Sequence, residues 1–355
     1  MKKGLRQVLW LGISVVLVGL IAYHLSRGGE WRHFRWDRLW DSLLSANPAY
    51  LLAAILTTYT SYVVRAYRWG FFLDPIKKAS LQVLFTGQII GFAAIYLVGR
   101  PGEIVRPGYI AKRENVSYSA MAAVWLLERV YDTVFIALLF SLALFWISPS
   151  NEPGGVAAGL SAAHRVAWLT LFITGVFVAL LIAFRFRSEK SDLRTPKLLR
   201  FLSPKRQHHF ERFLRSFADG LGVIRNWKDL TASVASTALL WGVNVTFFWL
   251  VFRGMGNDVG RLSWMAAALV LFSGIMGMIV QIPGIGGGFQ VVTIKTMTAF
   301  LGVGLEEAAG ASILLWIMLV FPCVALGVIL LLHEGLTIRK LESIAEEEER
   351  AMLQK

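Results

Sequence analysis

Gly99-Arg100-Pro101-Gly102-Glu103-Ile104-Val105-Arg106-Pro107 and Ile282-Pro283-Gly284-Ile285-Gly286-Gly287-Gly288-Phe289-Gln290 are polar, glycine- and proline-containing stretches set inside otherwise apolar chain. Proline removes a backbone donor and glycine favours turns, so both stretches interrupt a helix. At membrane depth such backbone is tolerated only where it is buried in protein or lines a wet cavity. Each stretch therefore marks a candidate site at the tip of a helical hairpin, one over residues 81–110 and the other over residues 264–301.

Composition supplies the membrane. Apolar residues make up 56% of the 355, and charged residues only 17%, against roughly 25% in a soluble domain. The mean hydropathy is +0.58. A net charge of +13 would suit nucleic acid if the basic residues formed one face of a soluble domain. They fall instead in the gaps between apolar runs, so topology and anionic lipid account for them and no nucleic-acid partner is expected. Cys323 is the single cysteine, which excludes an intrachain disulfide and a cysteine-based metal site.

Apolar runs of spanning length cover residues 8–25, 48–64, 119–147, 166–184, 230–252 and 308–332, each long enough for a transmembrane helix of roughly 17–25 residues. The N-terminal run follows Lys2, Lys3 and Arg6 and precedes Ser26-Arg27-Gly28-Gly29-Glu30, with no small-x-small cleavage site, and reads as a retained signal anchor. The expected fold is an all-α polytopic membrane protein with about six full transmembrane helices plus two re-entrant helical hairpins that enter from opposite sides. Both termini are then cytoplasmic. Loop charge agrees: residues 185–229 hold twelve Lys or Arg against five Asp or Glu, and the opposite-side loop 148–165 holds one of each. Ten full spans give the same sidedness, but hairpin halves of roughly 12 to 18 residues are short for spans. The two tips can then meet near the midplane, the layout of transporters built from broken-helix inverted repeats. No residue-level repeat accompanies that layout.

Residues 1–355 read as a single membrane domain. Within it, 185–229 is a basic cytoplasmic loop and 333–355 a charged cytoplasmic tail. In the loop Phe210, Phe213, Leu214, Phe217, Leu221 and Ile224 recur at helical spacing with Arg206, Arg212, Arg215 and Arg225 interleaved, the pattern of an interfacial or capping amphipathic helix. Trp36, Leu39, Trp40 and Leu43 repeat it on the other side.

The chemistry lies in Glu128-Arg129-Val130-Tyr131-Asp132. Counted from Ser119, Glu128 sits about 14 Å along its helix, near the middle of a hydrocarbon core about 30 Å thick. Charges there cost roughly 2.5 to 3.5 kcal/mol each on insertion scales, so these side chains must face protein or water. Glu128 and Asp132 share a helix face and need a cation between them, for which Arg129, Arg100 and Arg106 are the candidates. The cluster is either an ion network locking hairpin to helix or a site for a phosphate-bearing headgroup. Arg65, Arg68 and Trp69 follow the 48–64 run and could gather headgroups at the cytoplasmic mouth, or serve only as a positive-inside anchor. Glu103 belongs to the first tip, and Pro283, Gly284, Gly286, Gly287 and Gln290 to the second, where glycines let backbone N–H groups approach an anion or let helices pack closely. These are the candidate substrate-binding residues. No catalytic residue, metal ligand or cofactor is assigned: there is no Gly-x-x-x-x-Gly-Lys-Ser/Thr loop and no His-Glu-x-x-His pair, and His208-His209 reads as surface.

Arg65-Ala66-Tyr67-Arg68-Trp69, the Gly99–Pro107 stretch, Glu128-Arg129-Val130-Tyr131-Asp132 and Pro283-Gly284-Ile285-Gly286-Gly287-Gly288-Phe289, in that order across most of the chain, resemble the motifs of the lysylphosphatidylglycerol synthase transmembrane-region, or flippase-like, family. The resemblance implies a bacterial or archaeal cytoplasmic-membrane domain that moves or presents aminoacylated phospholipids or polyprenyl-linked glycolipids. Gln290 departs from the glutamate with which the family's glycine motif commonly ends, which removes a titratable group there. Full synthases of this kind carry a soluble aminoacyl-transfer domain after the membrane region, and this chain, ending at Lys355, is expected to be the membrane part alone.

Three functions follow: a translocase for an anionic phospholipid or polyprenyl-linked lipid, a non-transporting membrane partner of a cell-envelope glycosyltransferase or lipid synthase, and an intramembrane lipid-modifying enzyme using Glu128 or Asp132 as a base. For the topology, cysteines placed at Lys205 and Ser150 in a Cys323→Ala background should react with impermeant reagent from opposite faces of the membrane. Reaction of both from one face would overturn the assignment of sides.

Overall fold

The computed structural model describes residues 34–146 apart from 75, 164–179, 227–278, 281–282 and 286–335. The expected signal anchor, the basic amphipathic stretch and the charged tail lie outside the described residues.

Ten α-helices carry the described chain: α1 Trp36–Leu44, α2 Pro48–Leu73, α3 Leu81–Val98, α4 Val105–Glu114, α5 Tyr118–Trp146, α6 His164–Ala179, α7 Trp227–Met255, α8 Trp264–Gly277, α9 Gly288–Leu301 and α10 Leu305–His333. Residues 120–146, 230–255 and 305–333 are each long and apolar enough to cross a membrane, and α1 with α2 form a further pair bent by 74°. The protein is a helical, multi-pass membrane protein. Its strand content among the described residues is a two-residue ladder, Gln281–Ile282 against Gly286–Gly287.

Local chemistry sets the breaks. Asn47 caps α2, its side-chain oxygen accepting from the Ala49 N–H at 2.9 Å, with Pro48 at the first helical position. α3 ends at Gly99, whose φ of 83° suits glycine, and a 3₁₀ turn over Arg100–Ile104 leads into α4. α4 returns along α3: a Cβ on Gly91 would overlap Arg106, and one on Gly87 would come within 2.7 Å of Ile110. With ten residues, α4 is about 15 Å long, half the hydrocarbon thickness. α9 returns along α8 in the same way, with Gly274 against Phe289 and Gly277 against the Gly288 carbonyl. Both interrupted regions are therefore helical hairpins broken at the two stretches that proline and glycine mark.

The helices fall into two units of one plan, α2-α3-α4-α5 and α7-α8-α9-α10. α2 packs on α7, α3 on α10 and α8 on α5, so each hairpin leans on the closing helix of the other unit. Asn47 at the start of α2 donates its N–H to the Gly254 carbonyl near the end of α7 at 2.7 Å, so these two long helices run antiparallel. Gly274 stands to Phe289 as Gly91 stands to Arg106, fifteen residues apart in each hairpin. The tips meet on one side chain of α10: the Trp316 ring lies 6.0 Å from Tyr96, just before the first break, and 5.4 Å from Phe289, just after the second. α1 crosses α10 at Gly310, burying Leu39 and leaving Trp36 and Trp40 exposed.

Gly277→Ala should lower the thermal unfolding midpoint in detergent, because the new methyl meets backbone and overpacking costs about 1–3 kcal/mol. Gly175→Ala, with nothing within 4 Å of the new atom, is the control and should not lower it. Equal midpoints for both variants would show that the hairpin halves do not touch.

Candidate functional site

α5 carries Glu128 and Asp132 one turn apart, both buried. Arg68 of α2 bridges them, Nη2 donating to Glu128 Oε1 at 2.8 Å while Nη1 and Nη2 donate to Asp132 at 2.6 and 3.3 Å. Arg106, in the first turn of α4, reaches Glu128 Oε2 at 2.5 Å and Oε1 at 3.3 Å, and donates to Gln88 Oε1 of α3 at 2.7 Å. Trp241 of α7 donates its indole N–H to Asp132 Oδ1 at 3.2 Å. One buried ionic group thus ties α2, the first hairpin, α5 and α7, with the Trp241 ring continuing to Phe272 of α8 at 5.8 Å.

Two further guanidiniums are held loosely. Arg65 Nη1 is 3.9 Å from Glu128 Oε1, and Arg129 Nη2 is 3.3 Å from Glu128 Oε2 and 3.9 Å from Asp132 Oδ2. Their side chains are 12% and 43% exposed, whereas that of Arg68 is fully buried. Aromatic rings line the cations: Arg106 lies over Trp69 at 4.5 Å and Phe92 at 5.5 Å, Arg65 over Phe92 at 4.9 Å, and Arg129 over Trp125 at 5.9 Å. Among the described residues, four guanidiniums stand against Glu128 and Asp132, with Glu103 as a third carboxylate nearby, a surplus of one positive charge (4 − 3 = 1). Glu103, in the turn before α4, acts on Arg129 through space without forming an ion pair to it.

The polar atoms that this group leaves unpartnered have one chemistry. Arg68 Nε, Trp69 Nε1, Gln88 Nε2 and Arg129 Nε are buried without an acceptor, and all are donors; the Tyr131 hydroxyl is also unpartnered. A buried donor without an acceptor costs about 1–3 kcal/mol. The site therefore lacks acceptors and negative charge, not donors.

Arg65, Arg68, Trp69, Arg106, Glu128, Arg129 and Asp132 are thus brought together. Arg68 and Trp69, read from the sequence as possible headgroup contacts or a positive-inside anchor, are both fully buried among the helices, on a helix that continues nine residues past 64. Arg68, placed by the sequence with headgroup contacts, is the cation shared by Glu128 and Asp132. The Arg100 side chain, Pro283 and Gly284 lie outside the described residues. Gly286 and Gly287 form the ladder at the second tip, and Gln290 Oε1 accepts from the Gly287 N–H at 2.6 Å, capping α9. Sequence reasoning missed Gln88 and Trp241. Gln88 had a signal, an amide deep within the apolar run of α3; Trp241 had none, since its role depends on α7 lying beside α5. Among the described residues no group of three His, Cys, Asp or Glu could hold a metal ion.

Glu128→Gln removes the charge on which Arg68, Arg106 and Arg129 converge, and breaking a buried pair costs about 3–5 kcal/mol. Its thermal unfolding midpoint should fall well below that of Arg129→Gln, which removes a loosely held partner. Equal midpoints would mean that the ionic group does not hold the helices together.

The chain is 26% identical over 299 residues to a UPF0104 membrane protein of Pyrococcus horikoshii, covering 78% of this chain and 84% of the relative. It is 22% identical over 312 residues to a UPF0104 membrane protein of Methanothermobacter thermautotrophicus, covering 84% and 89%. It is also 24% identical over 289 residues to the glycosyltransferase AglD of Haloferax volcanii, covering 76% of this chain but 46% of that protein. The model of the lysylphosphatidylglycerol synthase TM region matches residues 7–327, across both hairpins and the ionic group, and the chain belongs to that family.

Proposed function

We propose that the protein is a lipid translocase of the cytoplasmic membrane that admits an anionic headgroup to the arginine group while the lipid tails stay in the bilayer. The observation that carries this is the chemistry of the unpartnered atoms. Buried donors and an excess of guanidinium over carboxylate among the described residues are what a phosphate completes, since it brings acceptor oxygens and negative charge together. Arg68 and Arg106 hold the carboxylates at short range and form the frame. Arg65 and Arg129, at longer range and partly exposed, are the groups left to receive a ligand. Two hairpins whose tips rest on one residue of α10 supply the broken-helix geometry that such a path requires.

Use of Glu128 or Asp132 as a general base fits less well. All four of their oxygens are engaged by guanidinium N–H groups, an arrangement that fixes charge and does not move a proton. A second function, membrane partner of a cell-envelope glycosyltransferase, is favoured by the likeness to a protein so named in which this chain spans under half the length.

Proteoliposomes made with the wild type should move a fluorescent anionic phospholipid between leaflets without changing its mass, and Arg65→Gln with Arg129→Gln should reduce the rate by roughly tenfold or more while elution and unfolding stay normal. A wild-type rate equal to that of protein-free vesicles would leave the partner function as the better account, and a changed headgroup mass would make the protein an enzyme.

A further inference from the structure

We infer that α1 is a membrane-surface helix, seated in the headgroup layer of the bilayer by Trp36, Trp40 and Leu44 at the face where α2 begins and α7 ends. Its direction is the first support. Residues 230–255 of α7 are long and apolar enough to cross a membrane, and α2 runs antiparallel beside them from the contact of the Asn47 N–H with the Gly254 carbonyl. α1 turns away from α2 by 74°, which leaves it 16° short of a right angle to that crossing direction (90 − 74 = 16). A helix of nine residues, about 14 Å long, therefore lies along the membrane surface and cannot span.

The side chains of α1 sort into three stripes. Leu39 and Ser42 are buried and face protein: a Cβ on Gly310 of α10 would stand 3.4 Å from Ser42 Oγ and 3.6 Å from Leu39 Cδ1, with Met255 of α7 also at 3.4 Å. Asn257 donates its side-chain N–H to Ser42 Oγ at 2.9 Å, and the Arg35 backbone N–H donates to Glu306 Oε1 at 3.1 Å. Asp37, Arg38 and Asp41 form an exposed polar stripe on the other side. Between the two run Trp36, Trp40 and Leu44, spaced by four residues and 66%, 58% and 81% exposed. The amphipathic pattern alone fits a capping or an interfacial helix. In the structure Leu39 and Ser42 do the capping, and a separate apolar stripe is left for the interface.

A bilayer fits that stripe better than water does. The indole ring is apolar while its N–H can stay hydrated, which suits the depth of the headgroups, and the charged stripe keeps to the opposite edge where water lies. Apolar exposure also continues past the bend, since Leu52 and Leu56 of α2 are each 60% exposed on a helix that follows a membrane-crossing neighbour. The consequence reaches the hairpins. Gly310 lies six residues before Trp316, on which both tips rest, so α1 ties the helix that supports them to the bilayer surface.

Spin-label accessibility of the full chain, in vesicles of dioleoyl phosphatidylcholine and dioleoyl phosphatidylglycerol, tests this. Nitroxide is attached to Trp36→Cys, Trp40→Cys, Asp37→Cys or Asp41→Cys in a Cys323→Ala background; these four positions are exposed, and Cys323, itself fully buried, can stay in place should the background unfold. Labels at 36 and 40 should collide severalfold more with oxygen, which concentrates in lipid, than with a water-soluble nickel chelate, and labels at 37 and 41 should show the reverse preference. A preference for the chelate at all four positions would put α1 in water. Shielding of 36 and 40 from both agents would show protein on that stripe, either a second copy or the residues before 34. Either result would overturn the inference, and neither bears on what the arginine group binds.

Discussion

The packing around α5 depends on Arg68, the fully buried cation that donates hydrogen bonds to both of its carboxylates. Its guanidinium spans Glu128 and Asp132 from inside α2, and Arg106 closes the other side of Glu128 from the first hairpin. In a bilayer each of these charges alone would be costly at helix centre. Together they are tolerable, and only in one relative placement of α2, α4 and α5. That geometric demand sets the position of the first hairpin more sharply than apolar packing can, since lipid tails compete with apolar side chains on nearly equal terms.

Close backbone approach is the second constraint. Gly91 admits Arg106 to the flank of α3, and without it the guanidinium could not turn towards Glu128. Gly274 plays the same part opposite Phe289 in the second hairpin. The two units therefore share a scaffold but not a chemistry: where the first presents a guanidinium, the second presents a ring that packs on Trp316. The buried ionic group belongs to the first unit, with Trp241 of the second unit reaching it. A two-fold scaffold carrying a one-sided site suits the handling of an amphipathic molecule, one end of which is charged.

An ionic group that served only as a lock would be expected to balance. This one does not, among the described residues, and its leftover atoms are donors. Whatever completes it must bring acceptors and negative charge, a narrower requirement than cationic surface alone imposes. It is the physical basis for the proposed headgroup site and for separating the framing arginines, Arg68 and Arg106, from Arg65 and Arg129.

Class and breaks were legible in the chain itself. Apolar run length required helices across a membrane, and Pro101, Gly99, Gly286 and Gly287 sat where the helices break, because a missing N–H and a left-handed φ are local properties. Glu128 and Asp132 were also legible as interior charges, since nothing apolar compensates for them along the chain. Their partner was not. A hydropathy window ends at Arg65 because it scores each residue against lipid, whereas α2 continues through Arg68 and Trp69, where carboxylates from α5 meet Arg68 and the Arg106 guanidinium lies over Trp69. The role of Gln290 as a helix cap and the contact of Trp241 with Asp132 have the same origin. Each depends on a neighbour remote in sequence, and only the packing of the helices decides which neighbour that is.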